Sequence, residues 1–367
     1  MIHRSLVRLC AAALLLAAGA SACRNSPTDP SRPRRFTVTF LGMPADATGF
    51  SPRAVDAGRV VGVAVGGGTV WAAQWLNGSF TRVGPAAPAG CHTEPMAARG
   101  GFTVGQVICT ATGVPAGPPV DVYGWAAGVA VPARLFAEPY TFVGVNGSGF
   151  IAGTINPAAQ FPQAQRRAFV VVGGAATILL PPDAAASEAV GITNSSQVVV
   201  TAYRTCLQDQ PRCHESSVMV WEAGAWTEVP VPRNADRAVG AAVSAQGHVA
   251  AYAFGESDQA FLYEIRRRDL DGLPIIPGTR VLLSGANSLG QVVGTGIREE
   301  PAGRLPSYGI VWGDERQYSL SERLVSAEED WQVTSALATD DDGHVAGTAI
   351  NPETGQEGAV LLTSTRR

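Results

Sequence analysis

Two adjacent Cys-His pairs, Cys91-His92 and Cys213-His214, are the first residues whose types could do chemistry. Thiolate and imidazole are zinc ligands, but adjacent Cys-His pairs chelate poorly. Neither pair has the close C-x-x-C spacing that zinc sites use. The acids come next. "DDDG" (Asp340 to Gly343) and "DLDG" (Asp269 to Gly272) place carboxylates beside a glycine in what reads as a tight turn. Calcium needs six to eight oxygens, usually from a longer loop ending in an acid. Neither stretch has that register, and Asp and Gly are what turns use anyway. No metal ion and no cofactor are expected.

Catalytic signatures are also missing. There is no G-x-S-x-G elbow, no H-E-x-x-H and no phosphate loop. All 27 basic residues are Arg, which excludes Schiff-base and other lysine-dependent mechanisms. His92, His214, His248 and His344 are the histidines beyond the leader. His248 and His344 each follow a turn glycine in equivalent phrases, so a structural role is expected of both. The Arg runs at 166–167 and 266–268 read as solvated strand ends. The net charge of −4 argues against a nucleic-acid binder, which needs a concentrated positive patch.

Any site must be positioned by elements that recur along the chain. Seven phrases share a strand-like run, a tight turn and a second strand-like run. Their turn anchors are Gly58, Gly101, Gly149, Ser196, Gly247, Gly290 and Gly343, at spacings of 43, 48, 47, 51, 43 and 53 residues. "SGANSLGQVVGTG" (Ser284 to Gly296) is the clearest copy. The anchors need positive φ, and the later Gly153, Gly294 and Gly347 suggest close backbone packing. A third run carries a large residue: Trp75, Trp125, Trp221, Tyr263 and Trp312, with Val171 and Leu361 substituting. These read as packing between neighbouring sheets. Fourth runs follow, including "VAVPARL" in the second repeat and "LPIIP" in the fifth.

The seventh repeat ends without a fourth run, while "RFTVTFLGMPADA" (Arg35 to Ala47) supplies one at the other end of the chain. The expected fold is all-β: a closed seven-bladed β-propeller of four-stranded antiparallel blades over 36–367, its last blade completed by the first strand.

Ahead of it, Arg4 and Arg8 precede an apolar stretch (Leu9 to Ala20) too short to span a bilayer, then "ASAC". This resembles the signal peptide of bacterial lipoproteins, with 1–22 removed, Cys23 lipidated and 23–35 a polar, Pro-rich tether. The expected location is the cell envelope, the outer membrane or cell surface rather than the inner membrane. Cys91, Cys109, Cys206 and Cys213 form an even set in an exported domain, and proximity favours the disulfides Cys91–Cys109 and Cys206–Cys213.

The phrase "GANSLGQVVGTG", with "RAF" (Arg167 to Phe169) and "QAF" (Gln259 to Phe261), resembles the HAF-repeat family of bacterial extracellular proteins. The resemblance implies a secreted or surface β-propeller and carries over no catalytic residue. The expected function is a binding or scaffold domain engaging an envelope protein or polysaccharide, monomeric and tied to the membrane by lipid. The alternative is a glycan- or ester-acting enzyme with its site at the channel mouth. The longest insertions, Thr110 to Gly124 and Tyr203 to Ser216, join second and third runs and so emerge on one face, the expected contact surface.

Overall fold

The computed structural model describes residues 35–110, 119–132, 134–156, 165–204, 215–256, 258–298, 307–313, 316–325 and 331–365. Seven antiparallel sheets follow one another along the chain, six of them meanders of consecutive strands and the seventh completed by the chain's first strand. The protein is a seven-bladed β-propeller. Its innermost strands are Gly49–Asp56, Cys91–Arg99, Tyr140–Val145, Ala186–Ile192, Ala235–Val243, Thr279–Ala286 and Gln332–Thr339. Cys23, Cys206, Cys213 and His214 lie outside the described residues.

Closure is as the repeat count requires. Phe36–Phe40 pairs antiparallel with Glu357–Ser364, from Phe36 opposite Ser364 to Phe40 opposite Val360. Phe36 is fully buried among Leu320, Leu324 and Leu362. The N-terminal strand thus covers the edge that blade seven would otherwise expose.

Each sheet is covered by neighbours on both sides, so its middle strands are continuous apolar runs rather than alternating ones. Every residue of Val198–Tyr203 is buried. The core is correspondingly divided into clusters between blades. One joins Val199, Val218 and Val220 of blade four to Val249, Phe261 and Tyr263 of blade five. Trp75, Trp125, Tyr263 and Trp312 are all buried, each in a cluster shared with the preceding blade.

Three details depart from the sequence reading. Among the described residues blade two has three strands, and none of them includes the described part of "VAVPARL". It contains Pro132, which has no N–H for a ladder. The outer strand of blade five is Asp269–Leu273, so "DLDG" is strand and "LPIIP" mostly linker; the turn before it is the Arg266–Arg268 run. In register, the position of Trp75 opposite Val60 is held by Ala127 in blade two and Leu362 in blade seven, not by Trp125 and Leu361. Trp125 sits two residues away, opposite Gly105, yet still packs toward blade one.

The innermost strands share one irregularity. Each carries a β-bulge at an equivalent place, leaving out Arg53, Met96, Val143, Val190, Ala241, Ser284 and Leu337. The bulge bends the strand where the sheet reaches the axis. It also explains the repeated "Gly-Thr". A Cβ on Gly62, Gly105, Gly153, Gly294 or Gly347 would run into a backbone carbonyl oxygen just before the bulge. In blades three and four the hydroxyl one residue later caps an amide of the next blade's bulge. Thr154 accepts from Ala189 N–H at 3.0 Å, and Thr201 from Gly240 N–H at 3.1 Å. The residue after each bulge is always Ala or Gly, because blades converge there. A Cβ on Gly285 would lie 3.0 Å from the Thr339 amide nitrogen in the next blade.

Candidate functional site

The two faces of the disc are built differently. Antiparallel topology puts the first-to-second and third-to-fourth turns on one face. All other connections emerge on the opposite face.

The turns of one face are knitted to one another around the channel rim. In blades three to seven the first turn holds five residues and begins with Asn146, Thr193, Ser244, Asn287 or Asp340, each buried. The side-chain oxygen of each accepts the backbone N–H four residues on: 2.9 Å from Phe150, 3.1 Å from Gln197, 2.9 Å from His248, 3.1 Å from Gln291 and 2.9 Å from His344. All seven anchors, Ser196 included, have positive φ. Neighbouring turns then bond to one another. Asn194 Oδ1 accepts from Gly147 N–H (2.9 Å), Asp341 Oδ1 from Ser288 N–H (2.9 Å), and Asp340 Oδ2 from Gly58 N–H (3.2 Å). Asp56 accepts from both Gly100 and Gly101 at 3.2 Å.

This accounts for the residues singled out in the sequence. Asp340, Asp342 and His344 bring ligand-type atoms within 4.8 Å of one another. Asp340, however, already accepts from Gly58, Asp342 and His344 amides and from the His344 ring at 2.9 Å. It is a turn cap. His248 and His344 sit against the next blade's turn, near Gly290 and Gly58 respectively, and do not line the channel. His92 is buried, with Nε2 at 3.4 Å from Glu94 Oε1. That contact, with Gln106 and Arg53, holds the Glu94 carboxyl below its usual range against the opposing effect of burial.

The opposite face carries the long connections. Cys91 and Cys109 are directly paired across the first two strands of blade two and joined by a disulfide. It pins the strand ends from which the 111–118 connection leaves. The expected insertion Thr110 to Gly124 is shorter than its sequence suggested, since Pro119–Ala127 is strand. Tyr203 and Ser216 are likewise a paired strand end, with 205–214 outside the described residues.

On this face a groove of about 560 Å³ lies between blades five and six. Tyr252 and Phe254 form an aromatic wall, ring centroids 6.4 Å apart, with Arg237 over Phe254 at 5.8 Å. Ile275, Ile276 and Pro277 form the opposite side, with Arg280 and Gln259 adding polar groups. The Tyr252 hydroxyl accepts the Leu283 N–H and donates to Val281 O, and burial raises its pKa. It is a structural hydroxyl. The groove offers flat apolar surface with Arg280 and Asp258 among its polar edges, suited to a sugar ring or an apolar side chain. Sequence reasoning missed it, because Tyr252 and Ile275 are brought together only by the packing of two blades.

No protein-family model matches the chain, and no curated protein matches it in sequence. Among solved structures, the β-propeller domain of the trilobed protease from Pyrococcus furiosus is similar over 89% of this chain and 96% of that one, at 11% identity and TM-score 0.49. The acylaminoacyl peptidase of Pyrococcus horikoshii is similar over 85% of this chain and 50% of its own, at 12% identity and TM-score 0.46. An ulvan lyase of a polysaccharide lyase family is similar over 91% and 95%, at 10% identity and TM-score 0.45. These likenesses concern the propeller fold; the blade count and closure rest on this chain's own sheets.

Proposed function

We propose that the chain is a cell-envelope lipoprotein, anchored through Cys23, whose propeller is a non-enzymatic binding module. Its long-connection face would engage an envelope protein or polysaccharide. The observation that carries this reading is the asymmetry of the disc. One face is consumed by turn-to-turn hydrogen bonds, while the other holds the apolar groove and the disulfide-pinned hairpin. Function in propellers rides on such connections rather than on the blades. The Cys91–Cys109 disulfide fits an exported, oxidising location. Among the described residues no helix is long and apolar enough to cross a membrane.

The test is a cross-linking pull-down of the full chain from its envelope fraction, with captured species identified by mass spectrometry. Tyr252→Ala and replacement of 111–118 serve as controls. One dominant envelope protein or glycan, lost with either change, supports the reading. Equal capture by all three proteins, or none, overturns it. Turnover of a glycan or ester substrate by the full chain would replace it with the enzymatic alternative.

A further inference from the structure

The channel has a second distinctive feature, on the axis and independent of the long-connection face. Its turn-side half is a cavity of about 240 Å³ walled by all seven innermost strands. The wall is Ala, Gly, Val, Ile and Met with two hydroxyls, Ser284 and Thr339. Among the described residues its charged side chains are Arg53 and Arg99, and no carboxylate lines it.

Arg99 takes the place in blade two that the polar turn caps take in blades three to seven. Blade two closes with a two-residue hairpin, Arg99 opposite Phe102, so the side chain has no turn amide to cap. Its Nη1 instead donates to Ile192 O of blade four at 3.0 Å, two blades away. A guanidinium carries five N–H donors. No ion-pair partner lies within 4.0 Å of Arg99 among the described residues, and Ile192 O is the acceptor the structure provides. Asp341 and Asp56 act on it from further off, with their oxygens already receiving Ser288, Gly100, Gly101 and Arg59 donors. Burial lowers the Arg99 pKa from its ordinary value. Arg53, on the blade-one bulge, has neither a hydrogen bond nor an ion pair among the described residues. Glu94, the acid acting on it, is held by His92 and Gln106.

We infer that this cavity is a binding site for a small carboxylate, received by the Arg99 and Arg53 guanidiniums. Arg99 is half-buried, and such a cation without a bonded counter-charge is costly, while Arg53 is exposed and free to turn toward a ligand. A planar fork matches a carboxylate through two parallel bonds. The volume equals that of about eight waters, at roughly 30 Å³ each, which suits one acidic monosaccharide or a short-chain acid. Low-dielectric walls carrying one sign of charge concentrate anions of the opposite sign.

The experiment is titration calorimetry of the full chain with a hexuronate, the matching neutral hexose and inorganic sulfate. The expected result is hexuronate binding that weakens with salt, no hexose binding, weaker sulfate binding, and at least a tenfold loss in Arg53→Gln and Arg99→Gln. Arg99→Lys keeps the charge without the fork and should also lose affinity. Arg53 makes no bond to the fold, so Arg53→Gln remains decisive if Arg99→Gln is destabilised. Hexuronate binding unchanged in Arg53→Gln, absent in the wild type, or no tighter than that of hexose or sulfate would overturn the inference.

Discussion

His344 Nδ1 stands 2.9 Å from Asp340 Oδ2, whereas the equivalent nitrogen of His248 stands 3.3 Å from the Ser244 hydroxyl. One repeat position therefore carries two histidines that titrate in opposite directions. The Asp340 hydrogen bond raises the His344 pKa against desolvation, with Asp342 adding to it. Burial lowers the His248 pKa, and Glu264 and Asp341 offset this only in part, with Arg267 reinforcing it. A raised histidine stabilises the fold below its unfolded pKa of 6.5, and that stability fades as pH climbs through the folded value. A lowered one makes stability fall as pH drops below 6.5 toward its folded value. His344→Gln should lose more stability at about pH 5 than at about pH 8, while His248→Gln should flatten the acid-side decline. Urea midpoints across that range check both; profiles parallel to wild type would refute the electrostatic account.

The turn caps can be tested at Asn287. Its Oδ1 accepts from the amides of Leu289 and Gln291, and its Nδ2 reaches Gln291 Oε1 and Thr339 Oγ1, all with Asn287 fully buried. Asn287→Ala strands buried donors and should cost about 2–3 kcal/mol. Asn287→Asp keeps both acceptors, as Asp340 does in blade seven, and should cost less. Denaturant titration gives the ordering, and equal costs would show that the acceptors do not matter.

Glycines at two repeat positions should respond differently. At Gly294 an added Cβ meets the Leu282 carbonyl oxygen beside the bulge. At Gly290 the difficulty is a φ of +74°, with only His248 Nε2 in ordinary contact at 3.9 Å, and Ser196 already holds this position in blade four at +66°. Gly290→Ala should cost about 1 kcal/mol. Gly294→Val should cost about 2 kcal/mol or more, because backbone must move. Thermal midpoints of the pair decide it; the reverse order would place the strain in φ rather than in crowding.

Closure rests on Phe36. With its ring fully buried, Phe36→Ala should cost about 3–5 kcal/mol. Removing 36–40 bares the edge of Glu357–Ser364 and should add self-association to that loss, read by light scattering after size exclusion. A monomeric, fully stable truncated chain would mean that blade seven stands without its fourth strand.

Much of the propeller was legible in the sequence, for a physical reason. Every blade solves one local problem at the axis. The Ala or Gly after the bulge, the capping side chain, the positive-φ anchor and the Gly two residues into the second strand recur at fixed spacing. The Cys91–Cys109 pair was readable because a hairpin brings nearby cysteines into register. Blade two was the least legible. Its Gly100-Gly101 hairpin is shorter than the five-residue turns, Trp125 sits two residues from its repeat position, and Arg99 stands where blades three to seven carry a turn cap. "DLDG" was misread because Asp and Gly usually mark turns, while the true turn is built on Arg268 at positive φ.

Taken alone, the sequence determined the blade count, the closure and the Cys91–Cys109 pairing, since each follows from short-range patterns repeated along one chain. Only the tertiary structure decided where charge and apolar surface converge. Arg99 reaches Ile192 across 93 residues of chain, and Tyr252 meets Ile276 through the packing of separate blades. Such contacts depend on how rigid blades are arranged around an axis, and no local spacing encodes that distance.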